Sequence, residues 1–283
     1  MRSALAASVL AAASLGSAQA LARDEPLWEA GIGVAGLHFP DYRGSDQSHN
    51  YALPAPYFVY RGEILKADRH GLRGVLFNSD WIDLNMSVGA SLPVDSSKNR
   101  AREGMDDLRP SIEMGPSLDI TLWRAADRRA KLDLRLPLRG AVTVESSPRF
   151  IGGQFFPHIN IDVHDPMGFG GWNLGVLAGP VFIDQRQAHY FYSVPMRDAT
   201  AQRPAYDARG GFAGTELLVA VSKRFPKFWV CGFARYDSLN GAKFEASPLA
   251  TSKRYFAAGL GVSWIFGQSS QRVQVNEYGD TPK

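Results

Sequence analysis

Residues 81–93 read WIDLNMSVGASLP, with an apolar side chain at every second position from Ile82 to Leu92. Polar residues, among them Asp83, Asn85 and Ser87, fill most of the positions between them. Successive side chains of an extended chain point to opposite sides, so a period of two separates these sets. The stretch predicts a β-strand with one apolar face and one polar face.

The same period recurs in the runs 112–122, 132–144, 155–163 and 256–266. Several runs reach the roughly 9–11 residues that a tilted membrane-spanning strand needs. The polar faces carry full charges, as at Asp119, Asp133 and Arg135. A soluble sandwich or lipocalin-like barrel is the alternative, but strand length and inward charge favour apolar faces turned toward lipid. The predicted fold is all-β, a single antiparallel transmembrane β-barrel of about twelve strands.

An antiparallel single-chain barrel needs an even number of strands. Twelve are predicted, at 27–39, 52–61, 64–77, 81–93, 110–123, 131–145, 150–163, 171–182, 187–193, 210–223, 229–237 and 255–266. The patterns at 64–77, 187–193 and 229–237 are the weakest, which leaves ten or fourteen strands open.

The first residues have the order of a secretory signal peptide. Arg2 precedes a short apolar run at 4–15, and Ala18-Gln19-Ala20 is a small-x-small cleavage site. A buried N-terminal helix is the alternative, and cleavage after Ala22 is also open. The predicted organisation is a signal peptide at 1–20, a barrel at 21–266 and a polar periplasmic tail at 267–283, which we expect to be disordered.

Composition excludes several classes of protein. The formal net charge of +3 falls to +2 once Arg2 is removed, and no concentrated basic patch points to a nucleic-acid partner. A single cysteine, Cys231, allows no internal disulfide. No run of about 18 apolar residues follows the signal peptide, so helical membrane spans are not expected.

Two further patterns concern the membrane. Four tryptophans open predicted strands and two lie near strand ends, which predicts aromatic girdles at the two interfaces.

Long connections at 40–50, 194–209 and 238–254 alternate with short ones, as between outer loops and periplasmic turns. Segment 94–108 breaks the rule, because it is long yet predicted to face the periplasm. Either the strand at 64–77 is wrong or this loop has a function.

Three motifs suggest possible sites. Gly31-x-Gly33-x-x-Gly36 matches a dinucleotide fingerprint, but no strand precedes it and Pro40 prevents a following helix. A metal site at His158, Asp162 and His164 is less expected than a hydrated lumen face. Ser193 after His189, and Ser48 beside His49, lack a diagnostic spacing for a nucleophile and its base. We therefore predict no catalytic, cofactor or metal residue, and no enzyme.

The charges predicted to face the lumen are mixed in sign: Asp83, Glu113, Asp119, Asp133, Arg135, Arg139 and Glu216. A lumen of about twelve strands is narrow. Such charges could pair and close it, or they could line a small aqueous pore, and both alternatives remain open.

Several short motifs resemble the MipA/OmpV family. They are PDYRGSD at 40–46, PAPY at 54–57, YRG at 60–62, AREGMDDL at 101–108, EMGPSL at 113–118, FARY at 233–236, SPL at 247–249 and the closing strand to Phe266. Their order and spacing extend the resemblance over residues 27–266. One departure is that residues 267–283 follow the aromatic residue on which such barrels commonly end.

The resemblance implies a non-enzymatic barrel in the cell outer membrane. It also implies a scaffold for peptidoglycan-remodelling enzymes, with a lytic transglycosylase and a murein synthase as periplasmic partners. Segment 94–108 and the tail are the expected docking surface. A narrow porin-like channel for small solutes is the alternative function.

Overall fold

The computed structural model describes residues 23–61, 65–68, 71–79, 81–168 and 170–275. Within them the chain forms strands, short 3₁₀ turns at Ser96–Lys98, Pro166–Gly168 and Met196–Asp198, and one α-helix, α1 (Gln185–Tyr192). The strands are β1 (Arg23–Pro26), β2 (Trp28–Pro40), β3 (Ser48–Arg61), β4 (Leu65–Asp68), β5 (Gly71–Asn78), β6 (Ile82–Ser91), β7 (Ser111–Arg124), β8 (Ala130–Thr143), β9 (Phe150–Phe155), β10 (His158–His164), β11 (Trp172–Ile183), β12 (Gly211–Arg224), β13 (Phe228–Ser238), β14 (Arg254–Gln268) and β15 (Arg272–Val275). In this part of the chain, no helix is long and apolar enough to cross a membrane.

Strands β2 to β14 close into an antiparallel ring. Strand β14, the last strand of the ring in the sequence, pairs with β2, the first. Strands β9 and β10 both pair with β8 and β11, so together they occupy one place between those two strands. The thirteen strands of the sheet therefore fill twelve positions within the described residues. The predicted antiparallel barrel of about twelve strands is confirmed.

The burial of the strands alternates as the sequence predicts. Apolar side chains on the outer face are exposed: Ile32 by 59%, Leu260 by 74% and Phe266 by 69%. Polar side chains on the inside are shielded, with Asn85 4% and Asp133 2% exposed. A water-soluble fold has the opposite arrangement, whereas a barrel in lipid needs an apolar exterior.

Three of the predicted strands differ from the structure. The run at 150–163 contains β9 and β10, which share one place in the ring, and the effects of the other two on the count cancel. The run at 64–77 contains two strands, β4 and β5, and the run at 187–193 lies mostly within helix α1. The Asp184 side chain accepts a hydrogen bond from Gln187 N at 2.8 Å, which caps the helix N-terminus. The capped end favours a helix where the aromatic residues had suggested a strand.

The additional strand reverses the direction of the chain. Segment 94–108, which we had expected to face the periplasm, consequently lies at the same end as the connection 41–47. Asn99 Nδ2 donates to Asp41 Oδ2 at 2.7 Å, and Arg100 pairs with Asp46 at 2.8 Å. The long connections 41–47, 92–110, 184–210 and 239–253 thus gather at one end of the barrel, the loop end. Short connections such as 125–129 and 225–227 lie at the other end, the turn end, whereas the short connection 144–149 also lies at the loop end.

All six tryptophans lie at the turn end: Trp28, Trp81, Trp123, Trp172, Trp229 and Trp264. The prediction of tryptophans at both interfaces is therefore wrong. Trp229 also points inward, with its ring centroid 5.6 Å from that of the buried Tyr57. The outward tryptophans suit one membrane interface, where an amphipathic ring is favoured.

The two ends of the described chain pair with each other outside the ring. Strand β1 runs antiparallel to β15, from Arg23 opposite Val275 to Pro26 opposite Arg272. Part of the segment expected to be a disordered tail is thus a strand, because its backbone groups find partners in β1. Residues 1–22 lie outside the described residues, so the signal peptide at 1–20 stays a prediction.

Candidate functional site: the polar lumen and its loop cover

The carboxylate of Glu29 organises the lumen near the turn end. Glu29 is fully buried and pairs with Arg224 at 2.8 Å and with Arg61 at 3.0 Å. Tyr57 also donates a hydrogen bond to Glu29 at 3.3 Å. Two guanidinium groups on opposite oxygens satisfy a charge that would otherwise be costly to bury. This cluster ties β2 to β3 and, across the lumen, to β12.

A second cluster surrounds Arg135 on β8. Its guanidinium lies 3.2 Å from both Asp133 and Asp162 and 3.7 Å from Asp119. Lys131 adds a second cation 3.1 Å from Asp133. The neighbouring strands β7, β8 and β10 are therefore linked by ion pairs on their lumen faces, where little water competes.

The third cluster lies below the loop end and includes a residue from a loop. Arg43, in the connection 41–47, lies 2.9 Å from Asp237 and donates to the Tyr255 hydroxyl at 2.8 Å. Arg235 approaches the other Asp237 oxygen at 2.8 Å. Burial alone would lower the pKa of the Arg43 guanidinium, but the facing Tyr255 and Asp237 outweigh it and raise that pKa. Arg43 thus stays charged inside the barrel.

Four long connections, 41–47, 92–110, 184–210 and 239–253, form a loop cover over the lumen. At its centre the Tyr192 and Phe244 rings stack with centroids 3.7 Å apart, and their exposures are 3% and 1%. The Tyr192 hydroxyl donates to Arg43 O at 2.8 Å, and that of Tyr42 donates to Leu249 O at 2.8 Å. Burial raises the pKa of both tyrosines, so both hydroxyls remain protonated donors.

Arg102 attaches segment 92–110 to the rest of the loop cover. Only 3% of Arg102 is exposed, and its guanidinium donates to Phe191 O at 3.2 Å and to Asp106 O at 3.1 Å. Its Cζ also lies 5.8 Å from the centroid of the Tyr42 ring. Burial lowers the pKa of Arg102, and carbonyl oxygens take the place of a carboxylate partner. Segment 94–108 is therefore structural at the loop end.

A cavity of about 490 Å³ lies in the lumen beneath the loop cover. Its charged lining is balanced, with four arginines and four carboxylates: Arg43, Arg135, Arg139, Arg235, Asp41, Glu113, Asp119 and Glu216. Arg139 donates to Ser87 Oγ at 2.9 and 2.7 Å and lies 3.9 Å from Glu113. Glu216 has no hydrogen bond or ion pair among the described residues, so its carboxylate is available to water or to a solute.

The structure brings together most of the charges predicted to face the lumen. Asp119, Asp133 and Arg135 meet in one cluster, and Glu113 and Arg139 line the cavity with Glu216. His158 and Asp162 also face inward, as expected for a lumen wall. Over the described ranges, no three His, Cys, Asp or Glu side chains gather as a metal site. His164 instead contacts Asn173 at 2.8 Å.

The serine and histidine pairs considered as catalytic do not meet. His189 lies 2.8 Å from Asp207, whereas Ser193 Oγ accepts a hydrogen bond from Ala208 N at 2.9 Å. His49, which follows Ser48 in β3, contacts Asp41 of the preceding loop at 2.5 Å. In neither pair does the imidazole contact the serine hydroxyl, as a base must contact its nucleophile.

Sequence reasoning missed the residues that close the lumen. Arg43, Tyr192 and Phe244 lie in connections, which the period of two does not describe. Arg43 is within the PDYRGSD motif at 40–46. Its position between a predicted strand and a glycine is the signal in the sequence that could have pointed to a role in the loop.

An apolar exterior around a lumen of paired charges defines an outer-membrane β-barrel protein. The family model described as MltA-interacting protein MipA matches residues 32–266, and the chain belongs to that family. Two relatives are outer membrane protein OmpV of Vibrio cholerae serotype O1 and outer membrane protein Omp26La of Vibrio anguillarum. Each is 24% identical over 248 residues, which is 86% of this chain and 88% of the relative.

Among solved structures, a bacterial polysaccharide outer membrane secretin is similar to this chain. The alignment covers 84% of this chain and 99% of the secretin chain, with a TM-score of 0.40 and 8% identity. The family and the two relatives place this protein in the outer membrane. Short turns of such barrels face the periplasm and long loops face outward, so we expect the turn end to be periplasmic.

Proposed function

We propose that this protein is a non-enzymatic scaffold that holds peptidoglycan-remodelling enzymes beneath the outer membrane. The observation that carries the proposal is the two-stranded sheet of β1 and β15 at the turn end. The family description names an MltA-interacting protein, and the resemblance in sequence implies a lytic transglycosylase and a murein synthase as partners.

The terminal sheet has the geometry of a docking element. Among the described residues neither β1 nor β15 pairs with a third strand, so each presents an unpaired outer edge. Such an edge can accept an extended segment of a partner through backbone hydrogen bonds. The outer edges therefore offer a place for a periplasmic enzyme to bind.

Arg61 fixes this sheet relative to the barrel. It donates to Pro26 O at 2.8 Å in β1 and to the buried Glu29 at 3.0 Å in β2. Backbone bonds from Leu27 N to Gln271 O and from Ser269 N to Trp28 O, both 2.9 Å, add to the connection. A sheet held in this way gives a bound enzyme a defined position below the membrane.

The test is binding of a purified lytic transglycosylase to the refolded protein in detergent micelles. Deletion of residues 271–283 removes β15 and should abolish binding, whereas deletion of 276–283 leaves β15 intact and should not. Gel mobility with and without heating verifies that each barrel is folded. Equal binding by both deletions would contradict docking on the terminal sheet, and no binding by the full chain would overturn the scaffold.

A deletion at the loop end provides a control. Shortening 97–105 alters the segment that we had first assigned to the periplasmic docking surface. If the partner docks at the turn end, this variant binds as well as the full chain. Loss of binding from a folded barrel would assign docking to the loop end instead.

A narrow channel for small solutes is the second candidate. The 490 Å³ cavity with balanced charges favours it, because such a lining suits a small neutral or zwitterionic solute. Steady conductance steps from the folded protein in a planar bilayer would support this function. Absence of steps would leave the scaffold as the better proposal, since the loop cover and the ion pairs oppose passage.

A further inference from the structure

The outer surface of one barrel wall carries a group of phenylalanines at the loop end. Phe150, Phe155 and Phe182 are 50%, 38% and 36% exposed, and they belong to β9 and β11. The Phe155 and Phe182 centroids are 6.3 Å apart, and those of Phe182 and Phe212 are 5.8 Å apart. On an outer-membrane barrel, rings at this height lie where lipid tails meet headgroups.

Three exposed cations, Arg186, Arg209 and Lys243, lie in the loop segments next to these rings. The guanidinium of Arg186, on helix α1, is 5.3 Å from the centroid of Phe150. Arg209 precedes Gly210, whose N–H donates to the side chain of Gln185 at 2.9 Å, so it lies beside the start of α1. Lys243 N donates to Phe212 O at 2.8 Å. The rim site consists of these three cations and the four phenylalanines.

Among the described residues, Arg186, Arg209 and Lys243 form no ion pair, whereas other loop-end cations such as Arg100 and Arg149 do. The nearby Asp184 carboxylate is engaged by Gln187 N and Gly153 N, both at 2.8 Å. Asp207 is likewise engaged by His189 at 2.8 Å.

We propose that the rim site binds the lipopolysaccharide of the outer leaflet, through its phosphates on the cations and its acyl chains on the phenylalanines. Guanidinium groups bind phosphate oxygens in a bidentate manner, and a lysine adds a point charge. Exposed rings next to the cations complete a surface for an anionic amphiphile. The rim site is independent of the terminal sheet, so this inference does not depend on the scaffold.

The test measures binding of purified lipopolysaccharide without O-antigen to the full-length refolded barrel by native mass spectrometry. The variant R186Q/R209Q/K243Q removes the three cations and should weaken binding by about tenfold or more, because each cation near an anionic lipid surface contributes favourably. The matched control R128Q/R129Q/K227Q removes three exposed cations at the turn end and should bind as the unmodified protein does. Gel mobility verifies folding.

Two further ligands separate the sources of the anionic group. Dephosphorylated lipopolysaccharide should bind the unmodified protein as weakly as the rim variant binds the phosphorylated form. Inorganic phosphate at millimolar concentration should not compete, because it lacks acyl chains. Equal weakening of lipopolysaccharide binding by both triple variants would overturn the proposal. Phosphatidylglycerol that binds the unmodified protein as tightly as lipopolysaccharide would also overturn it. Either result would indicate general electrostatic attraction instead of a specific site.

Discussion

The guanidinium of Arg43 lies 2.9 Å from the carboxylate of Asp237, although 194 residues separate them in the sequence. Arg43 belongs to a loop, and Asp237 is a fully buried residue of β13. The pair therefore fastens the loop cover to the barrel wall. Stability of the loop end and closure of the lumen should both depend on it.

Replacement of Arg43 by glutamine should destabilise the loop end by about 1–3 kcal/mol, because Asp237 loses a partner that it cannot replace with water. Arg235 remains 2.8 Å from Asp237 and limits the loss. The urea midpoint of the heat-sensitive gel mobility measures the change. The control is Arg100→Gln, which breaks the exposed pair with Asp46 and should cost less than about 1 kcal/mol. Equal midpoints for the two variants would contradict a special role for Arg43.

The stacked rings of Tyr192 and Phe244 predict a second effect. Tyr192→Ala should open the loop cover, because replacing a buried aromatic residue by alanine costs about 3–5 kcal/mol. Trypsin should then cleave the connection 184–210 faster while the barrel stays folded. Tyr192→Phe loses only the hydrogen bond to Arg43 O, at about 1 kcal/mol, and should remain nearly as resistant. A resistant alanine variant would show that the rings do not hold the cover.

The sequence predicts whether a strand side chain faces the lumen or the outside, because this depends on the alternation of apolar and polar residues immediately around it. Asp133 and Ile161 were assigned to the inside and outside correctly for this reason. The four-residue strand β4 was too short to separate from β5, and that error placed segment 94–108 at the wrong end. The contact between Arg43 and Asp237 could not be predicted, since loop geometry alone brings residues so distant in sequence together.

The loop cover should weaken in acid. Burial opposes ionisation of Asp46, but hydrogen bonds from Arg100 and Thr251 outweigh it and lower its pKa. Glu145, in the adjacent connection 144–149, lies 3.9 Å from Arg109 of the loop cover. Hydrogen bonds from Thr143 and Arg149 likewise lower the pKa of Glu145. A lowered pKa in the folded state gives stability that is full above the ordinary values of 3.8 and 4.5 and is lost as the pH falls through the lowered values.

Cleavage of the loops by pepsin should therefore accelerate below about pH 4, relative to an unfolded reference peptide at each pH. Between pH 7 and about pH 5 the loops should show no change, because both carboxylates stay ionised there. The variant Asp46→Asn cannot lose a charge and should depend less on pH. The same acid dependence in this variant would rule out a contribution from Asp46.

The seam between β2 and β14 closes the ring, and two glycines of β2 differ in their surroundings there. Gly33 lies opposite Ser263, and a Cβ at Gly33 would overlap the backbone oxygen of Val262. At Gly36, on the same strand, a Cβ would meet nothing within 4 Å. Backbone atoms cannot rotate away as a side chain can, so of these two glycines Gly33 is the one that the close approach requires.

The pair of variants Gly33→Ala and Gly36→Ala tests closure with the same chemical change. Gly33→Ala forces the two strands apart and should destabilise the barrel by about 1–3 kcal/mol or more, since overpacking against fixed atoms costs that much. Gly36→Ala should be neutral or slightly stabilising, by up to about 1 kcal/mol, because alanine loses less conformational freedom on folding. Urea unfolding followed by gel mobility compares them. If both alanines were tolerated equally, close backbone approach would not be what keeps glycine at position 33, and the seam would be looser than the structure indicates.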